Sequence, residues 1–599
     1  MHMRLSKLLI GAVVISAALF GQMAPQQPPP PGYPQGGYPQ GYPQGAPQGY
    51  PQGGVMQGNP QAEPVDEPGR QVARLSVLSG EVTVRRGDSG DWVAAVLNAP
   101  LLAGDSVSVA AGGAAEMQLD NANFARLAGD SEARLSILEN GRYQIQLSKG
   151  LLTYRVLRQS AAQSEIATPL AAVRPVGLSA VRVEVAPDGS MRAIVRHGDA
   201  EVATPKGSEK VHEGNMMTLR GAAEDPEFQT VYAPVADQWD TWSDQRDGYL
   251  SRAQSPQHVS QDVYGSEDLD AYGRWSNDPA YGDVWTPNVP PTWAPYRNGE
   301  WVWEDSYGWT WVDSDPWGWA PFHYGSWYFR TGLGWSWFPG PRYGHYWWHP
   351  ALVGFFGFGG GFGVGFGFGN VGWIPLAPFE RFHPWYGRGF VGGGRLGGVG
   401  IVAGGNITSL YRNARFANGA TAVSAADFQR GNFRGLTGVS SAQLQQASAL
   451  RGGVLSPTAA NMRFSSRSTA SFTGPRADVS SQRFFSRMPA GAGAGAAART
   501  AAAPGWQRFS GSAAGGGQSA RPLQVAPQIL HQREAGPAAN GYQGNRGGYA
   551  APAARPAPSA PAPSYRSAPA PAPSYRSAPA PAPRSSGGGG GHASGSGRR

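Results

Sequence analysis

Between Arg70 and about Gly221 apolar and polar residues alternate in short runs, broken by turn residues roughly every eight to twelve positions, which is the pattern of an all-β domain. The clearest case is "SAVRVEVAPDGSMRAIVRHGDAEVAT". Val181, Val183 and Val185 alternate with Arg182 and Glu184, Asp188-Gly189 supplies a turn, and Met191, Ala193 and Val195 return on a second strand. No long helical period interrupts the stretch, so a β sandwich or roll is expected over residues 70–229.

A different pattern follows, carried by tryptophan and glycine at a fixed offset of 26 residues. Gly273, Gly299 and Gly325 correspond, as do Trp275, Trp301 and Trp327, then Gly282, Gly308 and Gly334, and finally Trp285, Trp311 and Trp337. Trp301 and Trp303 are two apart, as are Trp309 and Trp311, so on two strands all four rings leave one face. The loop Glu304 to Gly308 is of hairpin length and sets Trp301 opposite Trp311 and Trp303 opposite Trp309. The third copy repeats this with Trp327, Phe329, Trp335 and Trp337. One hairpin is marginal alone, so each copy is expected to lay its aromatic face on the next.

Residues 271–341 thus read as hairpin repeats, 342–371 as a Gly/Phe-rich insertion and 372–434 as a divergent end of the module. In "GFFGFGGGFGVGFGFG" the strict alternation favours a strand, glycine's entropy cost favours a loop, and a membrane contact is a third reading; the loop is preferred.

The flanks change the picture of where the chain works. "MHMRLSK" followed by "LLIGAVVISAALFG" has the charge and length of a secretory signal over 1–24, not of a span in the mature chain. Residues 25–69, rich in Pro, Gln, Gly and Tyr, read as an extended linker, and 230–270 as an acidic connector with a turn or two of helix near Trp239 and Trp242. Residues 435–599 read as a disordered basic tail, with one short helix at "SSAQLQQASALRGG" capped by Ser440 or Ser441. From Tyr386 on there are 23 arginines, no lysine and three acids, so a net charge of +8 conceals an acidic body and a basic tail. With no cysteine there is no disulfide, thiolate site or cysteine nucleophile.

"LSGEVTVRRG", "LLAGDSVSV" and "LSKGLLTYRV" resemble the FecR-like extracytoplasmic β domain. Signalling members of that family carry a cytoplasmic anti-sigma segment and a transmembrane helix before it; here the secretory signal and proline-rich linker stand in their place. The tryptophan stretch, with "GWIPLAPFERFHPWYG" and "NITSLYRNARFANGATAVSAADFQRGNF", resembles an uncharacterised tryptophan-rich family of bacterial envelope proteins over about Tyr264 to Arg434. The resemblances imply a compartment and a domain order but bring no catalytic residues.

Chemistry is correspondingly sparse. None of G-x-S-x-G, H-E-x-x-H, a phosphate loop or a dinucleotide fingerprint is present. His323, His345 and His349 are read as histidines among aromatics rather than metal ligands, and Glu304-Asp305 and Asp313-Asp315 as solvated turns. No catalytic, cofactor or metal residues are assigned; Trp301, Trp303, Trp309, Trp311, Trp327, Trp335 and Trp337 are either core or a surface that stacks on sugar rings. The expectation is a mainly β, non-enzymatic protein exported to the periplasm or cell surface. Its expected partners are envelope polymers or glycans, with anionic surfaces meeting the arginine tail and no nucleic acid. A peptidoglycan- or polysaccharide-binding module and a FecR-like sensory regulator are the alternatives.

Overall fold

The computed structural model describes residues 71–359, 368–385, 400–401, 406–451, 457–465, 482–487, 505–509 and 521–523. The signal and linker readings over residues 1–69 lie outside these. Among the described residues no helix is long and apolar enough to cross a membrane.

The alternating region forms antiparallel strands from Ala73–Ser79 to Glu227–Tyr232, with one parallel pairing between Gln163–Ala167 and the 15-residue strand Arg142–Val156. Ala172–Val185 and Met191–Thr204 pair with Val181 opposite Val195, Val183 opposite Ala193 and Val185 opposite Met191. Gly189 turns the chain at φ 81°, and all six inward side chains are buried in an aliphatic core.

The acidic connector differs from its sequence reading. Instead of a turn or two, Gln238–Arg252 is a 15-residue helix whose N-cap Asp237 forms a capping box with Asp240. Its buried face holds Asp240, Ser243 and Asp247 beside Leu250. These acids meet arginines of the β domain: Asp247 accepts from Arg126 at 2.7 Å and from Arg155 at 2.5 Å, and Asp240 from Arg196 at 2.5 Å. The inward stripe is therefore ionic, and a search for an apolar stripe misses it.

Three tryptophan hairpins follow, Gly273–Asp278 with Gly282–Pro287, Gly299–Glu304 with Gly308–Asp313, and Ser326–Arg330 with Gly334–Phe338. In each the tryptophans face one another: Trp275 opposite Trp285, Trp301 opposite Trp311 and Trp303 opposite Trp309, Trp327 opposite Trp337. The two glycine columns have separate causes. Gly282, Gly308 and Gly334 turn the hairpins at φ 79°, 69° and 88°, a backbone that side chains resist. Gly273, Gly299 and Gly325 make room, since an added Cβ would lie 2.4 Å from Trp285, 2.6 Å from Trp311 and 2.7 Å from Trp337, and Gly325 alone of the three also has a positive φ, 64°. The period of 26 preserves a glycine seat for an indole in every copy.

The copies do not stack in sequence. The first and third join edge to edge through Trp285 opposite Trp337, while the second is a separate two-stranded ribbon. Its Trp301, Trp309 and Trp311 enter the aromatic core, and Val302 and Val312 on its other face enter the aliphatic core of the β domain. Buried on both sides, it serves as the layer between the two modules.

The Gly/Phe stretch corrects the preferred loop. Val353–Phe358 is a strand paired with Asn370–Pro375, and Thr421–Ser424 and Ser448–Arg451 extend the sheet on either side. The glycines admit rings: Gly354 lies under Tyr411, Gly357 under Phe368 and Gly372 under Phe356. That contact outweighs the entropy that argued for a loop. The remainder of the run, 360–367, lies outside the described residues.

The tail is also less uniform than its composition. Ser440 caps the expected helix, now Ser441–Gln445, with a capping box to Gln443, and a strand follows directly. Farther on, Phe464, Phe485 and Phe509 are buried, Ser486 donates to Glu165 at 2.6 Å, and Gln507–Arg508 pairs with the domain's last strand. Isolated phenylalanines anchor these pieces, and a composition dominated by Ala, Gly, Ser and Arg hides them.

Candidate functional site

The seven singled-out tryptophans are placed mainly inside. Trp309, Trp311 and Trp337 are 0% exposed, Trp301 and Trp327 1%, and Trp335 4%, so none has a free face for a ligand. Only Trp303 is half-buried, its indole N–H donating to Asp305 at 3.0 Å. The rings pack edge on, with Trp301 against Trp311 at 5.4 Å and Trp373 at 5.5 Å, and Trp303 against Trp309 at 5.5 Å.

Glu304 and Asp313 depart from the solvated-turn reading, whereas Asp305 keeps it, exposed in the turn of the second hairpin. Glu304 is buried at the seam, where Arg86 donates to both of its oxygens at 2.8 Å and to the Trp303 carbonyl at 2.7 Å. Asp88 binds the same guanidinium, and Asp105 accepts from Gly87 N–H at 2.7 Å. Arg86 faces three carboxylates here, and burial disfavours the charged form of the two most enclosed. Burial pushes Glu304 up to about 8 against the pull of Arg86 and Asp105 up to about 6, while Asp88, less enclosed and bound to Arg86, stays below the usual range. Asp313, equally buried, is raised by burial and by neighbouring Asp315, and it accepts the Trp311 indole N–H at 2.9 Å. A second buried contact crosses the seam where Arg74 donates to Asp268 at 2.6 Å. Both acidic pairs share their short spacing with ordinary turns, so nothing local marked Glu304 and Asp313 for burial.

The histidines separate. His323 is fully buried with Nδ1 2.8 Å from the His349 carbonyl oxygen, and burial pushes it down to about 3 and His349 down to about 4. His345 is exposed beside Asp262 at 3.2 Å. Among the described residues no three His, Asp or Glu side chains group as metal ligands would.

The concave feature of the module was not anticipated from sequence. A cavity of about 140 Å³ opens between the strand pair Val353–Phe358 and Asn370–Pro375, the segment after it and the strand at 448–451. Phe355 and Trp385 form its deep side, Tyr411 and Leu450 its walls, and Glu380, Arg381, His383 and Leu410 its exposed side. Trp385 is fixed by donation from its indole N–H to the Trp309 carbonyl at 2.9 Å, so the second hairpin also orients the cavity. Tyr411 lies across Gly354, where a Cβ would come 2.2 Å from the ring. Glu380 is held by the Arg412 N–H at 2.7 Å and the Ala377 N–H at 2.9 Å, in a turn that puts Phe379 at φ 64°.

Residues 266–380, which span the three tryptophan hairpins and the strand pair that follows them, match the model of a Family of unknown function (DUF6600). None of the curated proteins matches the chain. Among solved structures it is similar to two crystal structures of a "putative anti-sigma factor" from Parabacteroides distasonis ATCC 8503, each at 18% identity. The matches cover 21% and 23% of this chain and 59% and 64% of those chains, with TM-scores of 0.19 and 0.21. The chain thus spans less than two thirds of their length, and the similarity carries no inference about activity.

Proposed function

We propose that the chain is a non-enzymatic cell-envelope protein, exported to the periplasm or surface, in which the β domain and tryptophan module act together as one rigid binding body. The observation that carries this reading is the seam. The second hairpin is buried on both faces, and Arg86 and Arg74 reach across to Glu304 and Asp268. The most perturbed acids at this seam have structural tasks that account for them without a reaction. Export rests on the Arg4 and Lys7 region followed by the apolar run of residues 8–21.

Expression with and without residues 1–24, followed by fractionation, mass measurement of the mature N-terminus and pull-down on purified sacculi, tests the proposal. Export that depends on 1–24, with retention reduced by deleting 531–599 and by about 0.5 M salt, supports it. Cytoplasmic residence of the intact chain overturns it. A glycan-binding reading is favoured by the cavity beside Trp385 rather than by the repeat tryptophans, whose faces are buried.

A further inference from the structure

We infer that the cavity beside Trp385 binds a single sugar ring carrying a carboxylate, such as a uronate residue of an envelope polysaccharide. The inference deepens the binding-body reading, on which it rests, by naming a ligand class and a place.

Size sets the first limit. A dry cavity of about 150 Å³ in another protein accommodates benzene, so about 140 Å³ admits no more than one six-membered ring, with its hydroxyl and carboxylate substituents at the open side, and excludes a buried oligomer. The lining then chooses the kind of ring. Tyr411, half-buried, offers an aromatic face to the C–H side of a pyranose, Phe355 and Trp385 close the floor with only 3% and 6% of their surface exposed, and Glu380, Arg381 and His383 offer polar groups to its edge. An aromatic ring would leave that polar edge without a use.

Glu380 is already oriented. Its two oxygens each accept one backbone N–H, from Arg412 and Ala377, and a carboxylate has about four acceptor positions, so capacity remains for sugar hydroxyls. Arg381, on the exposed side, has no carboxylate partner among the described residues. A guanidinium placed beside an aromatic cavity suits a planar carboxylate, which it binds with two parallel hydrogen bonds. The neighbouring turn holds Phe379 at φ 64° and 78% exposed, a costly backbone for a bulky residue that sets the direction of the next side chains.

The test uses the purified full chain and three probes, D-glucuronate, D-glucose and acetate, followed by saturation-transfer NMR. Glucuronate is expected to bind more tightly than glucose, with acetate weakest. Arg381→Ala should weaken glucuronate about tenfold, the loss of a charge-assisted contact, and leave glucose unchanged. Leu410→Trp, which fills the exposed side, should abolish both sugars, with an unchanged circular dichroism spectrum and urea midpoint showing that the fold survives. Glucuronate binding that survives Leu410→Trp overturns the site. Equal binding of glucose and glucuronate, or of acetate and glucuronate, overturns the ligand class. No binding of any probe by the folded chain overturns the inference, while fractionation independently decides whether the protein is exported.

Discussion

Replacing Glu304 by glutamine removes a carboxyl group while preserving its shape, and it should change how stability depends on pH. Burial raises Glu304 from an ordinary 4.5 to about 8. A raised acid binds its proton more tightly in the folded state than in the unfolded one, so stability falls as pH rises from about 4.5 to about 8. Two other groups crowd the lower part of this range. Asp105, raised to about 6, acts in the same direction; His323 and His349, lowered from 6.5, act in the opposite one below that value. Between pH 6.5 and 8 Glu304 still titrates, and Asp313, raised well above the ordinary carboxyl range by burial, acts in the same direction, so the difference between the native chain and Glu304→Gln isolates Glu304. Over that interval one retained proton, half lost by pH 8, corresponds to about 1.5 kcal/mol. Urea midpoints read by tryptophan fluorescence at pH 6.5, 7.2 and 8, with the slope on urea checked for constancy, measure the change. The native chain should lose about 1.5 kcal/mol more across the series than Glu304→Gln does. Parallel profiles for the two proteins would show that Glu304 is ionised throughout and refute the burial argument at the seam.

Other substitutions test other parts of the architecture by the same denaturation assay. Gly299→Ala places a methyl group 2.4 Å from the Val312 carbonyl oxygen and against the Trp311 indole, and should cost about 1–3 kcal/mol through overpacking. Trp337→Ala empties a site that is 0% exposed and frees the Tyr324 carbonyl, so a loss of roughly 3–5 kcal/mol is expected, whereas Trp347→Ala, 44% exposed, should stay within about 0.5 kcal/mol. Asp247→Ala leaves Arg126 buried without that partner, and about 3–5 kcal/mol together with faster proteolysis within 238–252 should follow. An unchanged midpoint in any of the three buried cases would contradict the packing described for that residue.

Local periodicity conveyed much of this fold because the relevant forces are local. Residues two apart on a strand share a face whatever the rest of the chain does, so the pairing of Trp301 with Trp311 was legible, as was the turn at Asp188-Gly189. Ser440 likewise announced its helix through its own cap. What was hidden depended on distant partners. Asp247 faces inward because Arg126 and Arg155, far away in sequence, await it, and Glu304 is enclosed because Arg86 is. The cavity draws its walls from Phe355, Trp385, Tyr411 and Leu450, four positions with no common spacing, so no motif could reveal it. The glycines of the Gly/Phe stretch were ambiguous for the same reason, since only the rings lying on them show why a side chain is excluded.

The pairing of the first hairpin with the third limits how such a module can evolve. In an open solenoid, duplication or loss of one unit lengthens or shortens a series of equivalent neighbours. Here every copy has its own station: two complete a shared sheet, and the one between them in sequence is inserted elsewhere. A further identical copy would have no second seam to fill, and losing the middle one would uncover both cores together. Duplication supplied the parts, but the single seam fixed the place of the middle copy, so descendants should vary at the cavity's exposed side and in the terminal arms rather than lose that copy.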